Sequence, residues 1–104
     1  MYLSDEIKKE LVEKIKSVIS PEKVILFGSY ATGKATDESD IDILIVEKEV
    51  KSKIEEKRKI RKSLSGVDIP KDILVVSEEE FNFYKKEFGS VIKEAYDKGI
   101  ELWS

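Results

Sequence analysis

Apolar residues recur at Ile7, Leu11, Ile15 and Val18, three or four positions apart, behind Asp5 and Glu6. That spacing predicts an amphipathic helix whose first-turn carboxylates complement the positive end of its dipole, with Ser4 as N-cap and Pro21 as stop. The unbroken run Val24-Ile25-Leu26-Phe27 halts at Gly28-Ser29 and predicts a strand buried on both faces. Polar, turn-prone residues fill 29–39. A second strand is expected from Asp40, with Ile41, Ile43 and Ile45 on one face and Asp40, Asp42, Leu44 and Val46 on the other. Val50, Ile54, Ile60 and Leu64 predict a thinly apolar surface helix, in which Lys57-Arg58-Lys59 and Arg61-Lys62 read as a solvated face. Asp72-Ile73-Leu74-Val75-Val76 reads as a third strand. Ser77 and Glu80 then form a capping box at the head of a helix running to about Glu87. Gly89-Ser90 opens a last helix carrying Val91, Ile92, Ala95 and Tyr96, and Gly99 falls where a left-handed C-cap belongs. The tail Ile100–Trp103 reads as a short edge strand, with Trp103 sealing the sheet or anchoring a partner.

Strands alternating with helices, without repeats or a low-complexity linker, point to an α/β (or α+β) sheet domain. The chain of 104 residues has room for one such domain over 1–104. Composition narrows its chemistry. With no Cys and no His there is no disulfide, no thiolate or imidazole metal site and no histidine catalysis, so reactive groups must be carboxylates, hydroxyls, Lys or Arg. Any metal should be a hard cation such as Mg²⁺ held by oxygen. The net charge of -3 argues against general nucleic-acid binding. No apolar run is long enough for a bilayer or a secretory leader, so a cytoplasmic location and no membrane association are expected.

The informative stretch runs from Gly28 to Asp42. Gly28 and Ser29 end a buried strand in a sharp turn whose N–H groups and hydroxyl can cradle a phosphate. Asp40 and Asp42 lie two apart at a strand start, so both carboxylates leave one face and repel one another unless a cation lies between them. A third carboxylate on a neighbouring strand would complete a phosphoryl-transfer metal site; Asp72 is the natural choice and Asp68, before Pro70, the reserve. Two competing motifs fail. The P-loop pattern Gly28-x-x-x-x-Gly33-Lys34 continues with Ala35, which lacks the required hydroxyl, and no amphipathic helix follows. The acidic run lacks the glycine and flexible loop of an EF-hand.

Gly-Ser-x-Ala-x-Gly followed by Ser-Asp-x-Asp-Ile resembles the signature of the polymerase-beta-like nucleotidyltransferases, in particular the minimal nucleotidyltransferases of prokaryotes. The stretches Asp72–Phe81 and Glu94–Trp103 resemble that family's third-carboxylate strand and its C-terminal helix with a short apolar tail. The resemblance implies a small mixed β-sheet flanked by helices. It implies nucleotide binding by Gly28, Ser29, Ser39 and Lys34, and catalysis and metal binding by Asp40, Asp42 and Asp72. Mg²⁺ would be the cofactor and ATP the substrate. It further implies a HEPN-domain ribonuclease toxin as partner, adenylylated on a tyrosine and thereby neutralised, with homo- or hetero-oligomers as a further expectation. A module that neutralises its partner by binding alone is the alternative. One departure stands out: many members carry Arg where this chain has Thr32, and Lys34 is the obvious substitute for the lost phosphate contact.

Overall fold

The computed structural model describes residues 2–104. Ser4 accepts the Ile7 N–H at 3.2 Å, and from it helix α1 (Asp5–Lys16) buries Leu11 and Ile15. Strand β1 (Lys23–Phe27) leads into the one-turn helix α2 (Ser29–Thr32), and then come strand β2 (Ile41–Glu47) and helix α3 (Lys53–Ser63). Strand β3 (Lys71–Ser77), helices α4 (Glu78–Tyr84) and α5 (Val91–Lys98), and strand β4 (Ile100–Trp103) complete the chain. The sheet order is β3-β2-β1-β4. β1 runs antiparallel to β2 and β4, whereas β2 and β3 are parallel, joined through α3. A parallel pair needs such a crossover, since no tight hairpin can return a strand in the same direction. The expected small mixed sheet flanked by helices is the fold observed.

The two-residue period of the strands divides the core. Ile41, Ile43 and Ile45 face Leu11, Ile15, Ile60 and Leu64 of α1 and α3 and the turn after α3. Leu44 and Val46 face Phe81 of α4 and Ile92 and Ala95 of α5. Each fully buried aliphatic side chain contributes about 1.5–3 kcal/mol, so these two layers dominate stability. Among the described residues no helix is long and apolar enough to cross a membrane.

Several boundaries differ from the sequence expectation. Helix α1 ends before Pro21, because Ser17 turns its hydroxyl back to the Lys14 carbonyl at 2.5 Å, and Val18 is left exposed. The stretch 29–39 is not turn throughout: Ser29–Thr32 is helical, too short to show a period, between Gly28 and a left-handed Gly33. Ile54 lies 70% exposed, so Ile60 is the apolar side chain that α3 buries, with Leu64 just beyond it. The Ser77–Glu80 capping box is present, but α4 stops at Tyr84 rather than Glu87. Trp103 donates its indole N–H to the Pro21 carbonyl at 3.3 Å while 37% of its surface stays open.

Gly99 is not a left-handed cap. Its φ of -77° suits any residue, and glycine is needed there for space. A Cβ would fall on the Ala95 carbonyl oxygen and within 2.6 Å of Ile25 Cγ2 and 2.9 Å of the Leu26 carbonyl oxygen. Gly99→Ala is therefore expected to destabilise the fold by about 2–4 kcal/mol, measured as a lower urea midpoint, by prising α5 and β4 off β1.

At the far end of β2, Glu47 is buried against Glu56 of α3, and one oxygen of each carboxyl lacks a donor. A single proton shared between them satisfies both. Burial, then the hydrogen bond to Glu56 and its charge, push the Glu47 carboxyl up to about 7, against the opposing pull of Lys59. The folded state thus holds more protons than the unfolded chain between about pH 4.5 and 7. Stability from this pair is full below pH 4.5 and is lost as pH rises through 7. Glu47→Gln should match the wild type in stability at pH 5 and exceed it at pH 8 by roughly 1–2 kcal/mol after allowance for solvent screening, as read from thermal unfolding at the two pH values.

Candidate functional site

The C-terminal end of β1 and the N-terminal ends of β2 and β3 meet at one rim of the sheet. Register places Asp42 beside Phe27 on one side and directly beside Asp72 on the other. Neighbouring residues of paired strands point to the same face, so both carboxylates emerge on the face covered by α4 and α5, about 5 Å apart at the backbone. Asp40 precedes the strand, which begins at Ile41 rather than Asp40, and is exposed.

Gly28 closes the site from the β1 side. Its φ of 74° and ψ of -153° belong to a region open only to glycine, and a Cβ there would fall on Asp42 Oδ2 and within 3.2 Å of its Cγ. The backbone at the head of α2 therefore lies directly against the carboxylate. Ser29 is half-buried, and its carbonyl accepts the Lys34 N–H at 3.0 Å, which folds the segment back over α2.

Burial raises the Asp42 carboxyl above the usual carboxylate range, and the charges of Asp72, Asp40 and Glu94 raise it further, in that order. The rim is thus a concentration of negative charge around one partly dry carboxylate. Its donors are all hard oxygens, the set that suits a hard divalent cation, and such a cation would offset the repulsion. Among the described residues no three acidic side chains form a ready-made metal cage.

The remaining sequence candidates are spread around this centre. Ser39 accepts the Thr36 N–H at 2.9 Å and returns its own N–H to the Thr36 carbonyl at 3.0 Å, so its hydroxyl is engaged in fixing the turn that presents Asp40. Lys34 is exposed, and its amine has no ion-pair partner among the described residues. Asp68 is exposed in the loop before Pro70. Glu94 was not singled out by sequence reasoning. It reaches Asp42 electrostatically because α5 packs on the sheet through Ile92 and Ala95, and its helical position beside Ala95 is the only sequence signal of that placement.

Comparisons with known proteins bear on the family and the fold. The chain is 39% identical over 100 residues, 93% of its own length and 96% of the relative's, to MJ0141 of Methanocaldococcus jannaschii, which carries the name of a protein adenylyltransferase. Its fold is similar to that in the crystal structure of a toxin–antitoxin with AMP-PNP, with a TM-score of 0.71 at 21% identity, over 93% of this chain and 73% of that one. It is also similar to a structure of the tri-AMPylated Shewanella oneidensis HEPN toxin in complex with its MNT antitoxin, with a TM-score of 0.62 at 19% identity, over 93% and 69% of the two chains. With the nucleotidyltransferase domain model matching residues 4–102 as well, the chain belongs to the nucleotidyltransferase domain family.

Proposed function

We propose that residues 1–104 act as one minimal nucleotidyltransferase domain in the cytoplasm, transferring AMP from ATP to a tyrosine hydroxyl of a HEPN ribonuclease toxin and so serving as its antitoxin. The observation that carries this reading is the pairing of Asp42 with Asp72 in register, beneath the Gly28 backbone. The tyrosine oxygen bonds to the α-phosphorus as the bond from that phosphorus to the bridging oxygen of the β-phosphate breaks, and pyrophosphate leaves. Asp40, Asp42 and Asp72 would hold Mg²⁺, which when bound supplies Lewis-acid neutralisation of phosphate charge. Gly28 and Ser29 bind triphosphate oxygens through the N–H groups and hydroxyl at the turn. Ser39 holds Asp40 in place, and Lys34, free to swing, takes the phosphate contact left by Thr32. Asp72, open to solvent beside Asp42, orients the incoming hydroxyl and accepts its proton.

The antitoxin role is tested with Asp40→Ala. The expected result is that the variant still forms a complex with the toxin but no longer silences its ribonuclease activity. Full neutralisation by the variant would replace enzymatic silencing with occlusion by binding.

A further inference from the structure

Strand β4 is an edge of the sheet, opposite β3 in the order β3-β2-β1-β4, so among the described residues the main-chain groups on its outer side meet no further strand. Beside that edge lies a groove of about 680 Å³, the most spacious of the cavities described, between α1 and β4. Ile100 and Trp103 are each 37% exposed there. The β1–β4 pairing shifts register between Val24 and Ile25, yet an open edge bearing apolar side chains remains a template for strand addition unless another element covers it.

The α1 side of the groove specifies what covers it. Asp5, Lys8, Lys9, Val12, Glu13 and Lys16 form its wall. When this helix faces a second copy of itself antiparallel, with the dyad midway between Glu10 and Leu11, Asp5 stands opposite Lys16 and Lys8 opposite Glu13, each pair occurring twice. Lys9 meets Val12, over which its aliphatic stem can lie. Among the described residues Asp5, Lys8 and Glu13 have no ion-pair partner within their own chain. Lys16 is already fixed, its amine 3.3 Å from the Trp103 ring centroid. A twofold axis perpendicular to the sheet at this edge would set two β4 strands side by side and antiparallel. A residue contacting j whose symmetry mate contacts i is the signature of an isologous interface.

We propose that two copies of this chain associate through β4 and α1, joining their sheets into one continuous sheet. The surface lies on the face of Leu11 and Ile15, away from the face that carries Asp42, so it does not depend on the function proposed above.

Sedimentation velocity of the full chain over about a hundredfold concentration range reads this directly. The expected mass is twice that of the 11.9 kDa chain. Lys8→Glu and Glu13→Lys should each weaken association by about tenfold or more, because each places two like-charge pairs across the dyad. An equimolar mixture of the two variants should recover the wild-type affinity, since the introduced glutamate of one then faces the introduced lysine of the other. This recovery cannot come from misfolded chains. A wild type that stays monomeric across the range, single variants that associate as well as the wild type, or a mixture that fails to recover would each overturn the proposal.

Discussion

Asp42→Asn is expected to reduce AMP transfer by about 10³-fold or more while leaving the folded protein at least as stable as the wild type. The two halves of this result have one cause. Asp42 is the carboxylate on which the charges of Asp72, Asp40 and Glu94 bear, and in the function proposed above it is one of the groups that would hold the divalent cation. In the protein alone that repulsion opposes folding. Burial first, and then Asp72, Asp40 and Glu94, hold the folded-state pKa of Asp42 above its unfolded value. Stability linked to a raised carboxyl is fully present only below the unfolded pKa and is lost as pH climbs through the folded one, so the ionised carboxylate carries the cost on the alkaline side of that value. Asparagine keeps the shape and discards the charge. Steady-state transfer assays and thermal unfolding at pH 7 check the two halves; a variant that loses activity and stability together would show instead that Asp42 is a structural carboxylate.

Gly28→Ala and Gly33→Ala separate strain from contact. Both glycines have positive φ, 74° and 77°. Gly33 has a ψ of 15° and nothing within 4 Å of an added Cβ, so alanine there meets only the left-handed penalty of about 1 kcal/mol, and transfer should stay within a few-fold of wild type. Gly28 combines a glycine-only backbone conformation with a Cβ position occupied by Asp42 Oδ2. Its alanine variant should lose about 3 kcal/mol or more and reduce transfer by about 10²-fold or more, since either the turn or Asp42 must move. Urea unfolding and transfer rates on both variants read the contrast. Equal effects at the two positions would mean that the close approach of Gly28 to the carboxylate carries no function.

Much of this site is legible in the sequence because its parts are local. Gly28-Ser29 after a buried run, and Asp42 in the next strand, are set by strand periodicity and turn chemistry, whereas Asp40 lies just before that strand and its direction is set by the turn. The choice of Asp72 over Asp68 depends on something a single sequence leaves open, the parallel register of β2 with β3. Glu94 depends on still more, because a helix of clear periodicity reveals which face is buried but not which rim of the sheet it overhangs. Gly99 shows the same limit from another side. Its place after a helix suggests a cap, yet its necessity comes from Ile25 and Leu26, more than seventy residues away in the chain. The one-turn helix at Ser29–Thr32 escapes notice because four residues cannot display a period.

The most direct test of the central claim is intact-mass spectrometry of a HEPN toxin incubated with this protein, ATP and Mg²⁺, beside an Asp40→Ala, Asp42→Ala control. One or more added AMP units on the toxin, mapped to tyrosine and absent from the control, are the expected result. An unmodified toxin held in a stable, neutralised complex would contradict that claim.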